Sequence, residues 1–377
     1  MQKHKTMTTI LFLLCILLSG CNKVQETSEQ TSNPAIDFSP YQSAVTTADI
    51  FSNADDYNGV INGRPIFSIA ENGKDWVIYE YDTEKNKEER TAVIEDFRLN
   101  MRYAVIDDDY WYSFIVLGDE PEPQLCRVNT ETSEVSIITR TLDTQSEFSL
   151  CKCNGKLVTL SKKTENGVQH EYVETYNPKT DCWDQIKEFS HSEETLEGDN
   201  PLGLCSNGNN IFVFLEKNNP NTGKVAEVQI INDIGEIIES ATVPNDIYTY
   251  ISQSFFFDMQ MFGNYIYILS STHCLVGIIE DGELKDILKE DNMEVAFGYQ
   301  GNSPIFFKRD SCYLYELNSD SRVTEYYIPI EEDKYSILCV VADEEKCYIV
   351  CVDYETGKRK GYMFNRKDLG NVYLPVN

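Results

Sequence analysis

Few residues of this chain have types and spacing that could do chemistry. His170 stands at a strand entrance, His191 in a polar stretch and His273 in the loop after NYIYILS. Separated histidines of this kind read as solvated side chains, because a metal centre needs several ligands converging on one point. Cys151-x-Cys153 puts two thiols on one strand face, but no second cysteine or histidine pair follows at zinc-site spacing. The run DTEKNKEE (82–89) offers oxygen ligands at alternate positions, yet it lacks the central Gly and the correctly placed terminal Glu of a calcium loop. There is no Gly-x-Ser-x-Gly elbow, no Gly-rich phosphate loop and no His-Glu-x-x-His. The expectation is no metal and no cofactor, and no catalytic residue can be assigned.

Rings and carboxylates remain. Tyr110, Trp111, Tyr112, Tyr248, Tyr250 and Tyr299 fall near expected strand starts, where an aromatic face could stack on a sugar or pack on a partner. Packing between neighbouring sheets is the competing use of each. The 62 Asp and Glu side chains allow a second function class. Two of them, acting as acid and base, would make a cell-surface glycosidase or lyase. Spacing along the chain cannot choose the pair, because in a repeat fold the two acids would come from different repeats.

The elements that must position these groups are nearly all strands. Short β-rich runs ending in Asn, Asp or Glu recur: VIYEYDTEKN (77–86), QLCRVNTETS (124–133), YVETYNPKTD (172–181), VQIINDIGE (228–236), VGIIEDGE (276–283), LYELNSDSR (314–322) and GYMFNRKDLG (361–370). Each enters a polar turn in which side-chain oxygens can bond to local backbone N–H groups. The turn-opening residues Asp82, Asn129, Asn177, Asn232, Glu280, Asn318 and Asn365 are 47, 48, 55, 48, 38 and 47 residues apart. A second set of strands lies upstream of the turns: RPIFSIA, YWYSFIVL, GKLVTLS, NIFVFLE, NYIYILS, SPIFFK and KCYIVCV. Further strands flank these, giving about four per repeat, the unit of a β-propeller blade.

The fold expected is all-β, a propeller of seven blades with four antiparallel strands each; loose alignment of the first and last copies also admits six or eight. Inner strands should read as continuous apolar runs because both faces are covered. Phe255-Phe256-Phe257 and 211–215 do so. Strands carrying Glu80, Arg127, Glu174, Gln229 and Glu316 alternate, as outer edge strands would. The segment 45–61 is expected to supply a closing strand beside NVYLPV (371–376), its pairing partner left open.

The N-terminus sets the location. The apolar run 7–18 is about a dozen residues, too short for a spanning helix of about 20. Lys3, His4 and Lys5 precede it, as in a secretory signal. Leu18-Ser19-Gly20-Cys21 resembles the lipobox of bacterial lipoproteins, which implies cleavage after residue 20 and a diacylated Cys21. Two acyl chains meet the need for a double hydrophobic signal in stable anchoring. Residues 21–44 are polar and read as a flexible tether of about 25 Å. Residues 45–377 form the propeller, which resembles the extracytoplasmic propellers of bacterial lipoproteins, of the TolB-like or low-density-lipoprotein-receptor-like kind.

Charge narrows the partners. The formal net charge of −30 becomes −32 when Lys3 and Lys5 leave with the signal. Nucleic acid is disfavoured, because phosphate binding rests on Lys and Arg. The expected chain is a monomer outside the cell membrane, held there by the lipid on Cys21, with a protein, peptide or saccharide ligand. Ten further cysteines lie in the body, mostly inside strands, where a thiol behaves as a small hydrophobe; disulfide pairing, which an exported protein permits, is the competing use.

Overall fold

The computed structural model describes residues 46–48 and, apart from short connecting stretches, 56–366. The signal, Cys21 and the tether lie outside the described residues, as do Phe255, Phe256, Phe257, Tyr299 and 371–376. All described residues belong to one compact unit, Tyr41–Asn377.

Strand β1 (Thr46–Ala48) stands ahead of the repeats. β2 to β5 (Asp56–Ile61, Arg64–Glu71, Asp75–Asp82, Lys87–Ile94) form a first sheet in chain order. β6 to β9 (Phe97–Asp107, Tyr110–Leu117, Gln124–Asn129, Val135–Ile138) form the second. In the third, β10 (Gln145–Ser146) and β11 (Cys151–Cys153) both pair with β12 (Lys156–Glu165), followed by β13 (Val168–Asn177) and β14 (Cys182–Ser192). β15 to β18 (Gly198–Ser206, Ile211–Asn219, Gly223–Ile231, Ile237–Val243) form the fourth. Helix α1 (Asn245–Ile251) leads into the fifth, β19 to β22 (Asp258–Phe262, Tyr265–Ser270, His273–Glu280, Glu283–Asp291). β23 to β26 (Met293–Val295, Ile305–Lys308, Tyr313–Leu317, Val323–Tyr327) form the sixth. β27 to β29 (Tyr335–Ala342, Lys346–Asp353, Arg359–Asn365) form the last, and β1 is its fourth strand.

The third, fourth and fifth sheets are nominally one 13-stranded sheet, but single-residue bridges alone join them, His191 to Gly198, Cys153 to Gly208 and Thr242 to Glu283. Cut at those bridges, the described strands fall into seven groups, six of four strands and the third of five, in which β10 and β11 share one edge of β12.

Strand pleating explains how the groups become a ring. Successive side chains point to opposite faces, so a strand covered on both sides must be apolar at every position. In β16, Ile211, Val213 and Leu215 pack toward the third sheet, against Val158, Leu160 and Val173. Phe212 and Phe214 of the same strand pack toward the fifth, against Ile266, Ile268 and Leu275. The other seams repeat this. Trp76 and Ile78 meet Trp111 and Ile115 between the first and second sheets, and Tyr112 and Phe114 meet Leu157 and Tyr176 between the second and third. The largest cluster runs from Tyr267 and Val276 through Phe306 and Leu314 to Val340 and Ile349, and ends on Phe67 and Tyr81 of the first sheet. Every sheet therefore packs on two neighbours, and the last packs on the first. This is the β-propeller expected from the repeat.

Closure draws its strand from the expected segment 45–61 and fixes the partner that the sequence left open. Thr46, Thr47 and Ala48 pair antiparallel with Met363, Tyr362 and Gly361 of β29, within GYMFN. The turns follow the side-chain logic of the sequence. Asn129 Oδ1 accepts the N–H groups of Glu131 and Thr132 at 3.0 and 2.8 Å. Asn232 Oδ1 accepts those of Ile234 and Glu236 at 3.2 and 2.9 Å. Asp82 Oδ1 accepts that of Lys85 at 3.0 Å.

One expectation is corrected. Glu80, Arg127, Glu174, Gln229 and Glu316 lie on β4, β8, β13, β17 and β25, each the third of four strands and paired on both sides. Their alternation does not mark an edge. Polar residues are held there because partners are close: Glu174 pairs with Arg140 and accepts bonds from Thr144 Oγ1 at 2.8 Å and Gln185 Nε2 at 3.2 Å.

Seven of the nine described cysteines, Cys126, Cys153, Cys205, Cys274, Cys339, Cys347 and Cys351, are buried thiols. Burial pushes Cys126 up to about 12, so its reactive thiolate is scarce at neutral pH. Cys182 is exposed. In the native protein Cys182 should react first with an aromatic disulfide reagent, and Cys182→Ser should delete that fast phase; an unchanged fast phase would contradict this burial pattern.

Candidate functional site

The six aromatic candidates separate into two places for geometric reasons. Tyr110, Trp111 and Tyr112 are consecutive in β7, so pleating sends Trp111 away from its neighbours. Trp111 packs on Trp76 of the first sheet at 5.7 Å between ring centroids. Tyr112 faces the third sheet instead. Both are 2% exposed and act as packing between sheets. Tyr110 is half-buried and shares a side with Tyr112, their rings 6.1 Å apart.

Around Tyr110 the seam between the second and third sheets carries several polar groups. Arg127 of β8 lies directly across from Tyr112 in the ladder. Its guanidinium carbon sits 5.4 Å from the centre of the Tyr110 ring. Asp107, at the end of β6, pairs with Lys152 of β11 across the seam. Tyr176 of β13 donates its hydroxyl to Asp181 Oδ1 at 2.7 Å. Burial raises the pKa of Tyr112, and burial followed by the bond to Asp181 raises that of Tyr176. Both hydroxyls therefore keep their protons at neutral pH. Sequence reasoning did not single out Arg127 as a site residue, because one arginine in an alternating strand carries no motif.

Tyr248 and Tyr250 lie on α1, which sits in the connection between the fourth and fifth sheets. Two positions apart on a helix, they point about 200° apart. Tyr248 is buried and donates to Glu216 of β16, which also pairs with Lys224 at 2.8 Å. Tyr250 reaches the fifth sheet, donating to Asp291 Oδ1 at 3.0 Å. The His273 ring meets the Tyr250 ring edge-on at 4.8 Å, and its Nε2 is 3.8 Å from Asp291 Oδ1. Desolvation, then the acidic partner, raises both tyrosines, through Glu216 for Tyr248 and Asp291 for Tyr250. They serve as donors, not as bases.

These places occupy opposite ends of the strands. Tyr110 pairs with Asp107 and Asn129, where β6 turns into β7 and β8 turns into β9. His273 pairs with Ser270 and Asp291, at the other end of its sheet. Among the described residues no group of three or more His, Cys, Asp and Glu side chains could hold a metal ion. No helix among them is long and apolar enough to cross a membrane.

No family model and no curated protein matches the chain. Solved structures do. The chain is similar to oligogalacturonate lyase from Vibrio parahaemolyticus at 10% identity, covering 85% of this chain and 93% of that chain with a TM-score of 0.51. It is similar to the β-propeller domain of the Trilobed protease from Pyrococcus furiosus at 13% identity, covering 82% and 94% with a TM-score of 0.50. The likeness to Pyrococcus horikoshii acylaminoacyl peptidase is at 16% identity and covers 83% of this chain but 51% of that one, with a TM-score of 0.51. The shared property is the fold. At these identities a common fold carries no activity across. The Pyrococcus furiosus domain is described as having an open velcro topology, whereas here β1 pairs with β29.

Proposed function

We propose that this protein is a membrane-anchored extracytoplasmic lipoprotein whose seven-bladed propeller is a binding or protein-interaction module. The observation that carries the binding reading is how the acids of the body are engaged. Glu174 is bound by Arg140 and Thr144, Glu216 by Lys224 and Tyr248, and Glu316 by Arg366 and Tyr326. Asp291 accepts from Tyr250, and Glu294 pairs with Arg309 at 2.6 Å. A general acid or base must exchange its proton during turnover. Carboxylates neutralised by fixed cations and hydroxyls instead favour a rigid surface that presents its remaining donors and rings to a ligand. This weighs against the glycosidase or lyase alternative.

The anchoring half rests on Leu18-Ser19-Gly20-Cys21 and the short apolar run before it. The test is membrane fractionation. Wild type should sediment with membranes and be released by detergent, while Cys21→Ala should be found in the soluble fraction. Equal sedimentation of the two would overturn lipid anchoring. The soluble Cys21→Ala chain, probed on glycan and peptide arrays, should bind some members saturably and leave them intact; cleavage of a bound glycan would overturn the binding reading in favour of the enzyme.

A further inference from the structure

In a chain of net charge −30, cations are scarce, and four of the described arginines sit on carboxylates. Arg64 pairs with Glu80 and Asp82, Arg140 with Glu174, Arg309 with Glu294 and Arg366 with Glu316. Arg127 differs, since its contacts among the described residues are aromatic. It lies over Tyr110 and stands directly across from Tyr112 in the ladder. Two described acids of the same seam are bound by other groups, Asp107 by Lys152 and Asp181 by Tyr176. Among the described residues the half-buried guanidinium meets the Tyr110 ring beside Tyr112 and pairs with no carboxylate.

We propose that this seam is a subsite for an acidic monosaccharide unit, with Arg127 receiving the carboxylate and Tyr110 stacking on the sugar ring. The proposal rests on the reading of the propeller as a binding module and is independent of the lipid anchor. The planar fork of an arginine matches a carboxylate with two parallel hydrogen bonds. The guanidinium covers one face of the half-buried Tyr110 ring, and the rest of the ring supplies the flat apolar surface that a pyranose would cover. Charge chooses between anions: a carboxylate brings one negative charge into a strongly negative field, whereas a phosphate brings nearly two and meets about twice the repulsion.

The test measures binding of four probes, D-glucuronate, D-glucose, acetate and inorganic phosphate, to the soluble Cys21→Ala chain by calorimetry and ligand-observed NMR. Glucuronate should saturate the protein in the millimolar range, with the other three at least about tenfold weaker. In the same background, Arg127→Met should weaken glucuronate at least about tenfold, and Arg127→Lys should recover only part of the loss because the ammonium lacks the fork. Tyr110→Leu should weaken glucuronate while leaving acetate unchanged, an effect that a purely structural role for the ring would not produce. An unchanged melting temperature shows that the variants fold. Glucuronate binding that survives Arg127→Met, phosphate binding as tight as glucuronate, or no binding of glucuronate overturns the subsite. Ligands found on the arrays would still support the binding module in that case, so the two readings fail separately.

Discussion

Gly235→Ala should destabilise the protein by about 3 kcal/mol or more, well beyond an ordinary surface substitution. Gly235 lies in the turn between β17 and β18 at φ +85°, a conformation that costs a side-chain-bearing residue roughly 1–2 kcal/mol. The larger cost comes from the neighbour. An added Cβ would land on the backbone carbonyl of Ile186 in β14, so the turn of the fourth sheet could no longer lie against the third. Backbone cannot rotate aside as a flexible side chain can. Gly282 is the internal control: its φ is +75°, and nothing lies within 4 Å of the added Cβ. Gly282→Ala should therefore show the conformational cost alone, about 1 kcal/mol. Urea unfolding of both variants measures the difference. Equal losses would mean that the Gly235 turn does not seat on β14.

Arg366→Met should cost about 3 kcal/mol, because it leaves a largely desolvated carboxylate without its cation. Arg366 follows β29 directly, and its side chain is 6% exposed. Its Nη2 donates to Glu316 Oε1 of the sixth sheet at 2.8 Å, and its Nη1 to the Asp343 carbonyl of the last sheet at 3.0 Å. One side chain thus ties the end of the described chain to two sheets, beside the β1 to β29 pairing that completes the last of them. The other Glu316 oxygen accepts from Tyr326 at 3.0 Å. Burial, then Glu316, pushes Tyr326 up to about 12, and Arg366 partly offsets this. The double variant Arg366→Met, Glu316→Gln should recover part of the lost stability, since the amide keeps an acceptor for Tyr326 without a stranded charge. The cycle is read from denaturation midpoints. If the double variant is no more stable than the single, the ion pair is not what Arg366 contributes. Removing the arginine should also move the tyrosine titration seen by ultraviolet absorbance to higher pH, because its positive charge no longer favours the phenolate.

Much of the fold is legible in the sequence because its controlling interactions are local. The turn-opening Asn129, Asn177 and Asn232 accept backbone N–H groups a few residues on, so their spacing alone marks the repeat. Continuous apolar runs such as 110–117 and 211–215 identify strands covered on both faces, since period-2 alternation vanishes when both sides are core. Those two signals specify strands, turns and a repeating four-strand unit without any knowledge of what packs on what.

What only the tertiary structure decided is which residues of different repeats meet. Tyr110, Trp111 and Tyr112 are adjacent in sequence, yet pleating commits Trp111 to one seam and Tyr112 to another. The polar residues of the third strands look like edge positions, because their partners lie tens of residues away: Glu174 and Thr144 are 30 apart, and Glu316 and Arg366 are 50 apart. Closure by Thr46–Ala48 on β29 joins the two ends of the body, a pairing that no local pattern encodes. Arg127 is the clearest case. Its residue type is in the sequence, but its place over the Tyr110 ring comes from the pairing of β7 with β8, and the capture of nearby Asp107 by Lys152 exists only once the second and third sheets pack together.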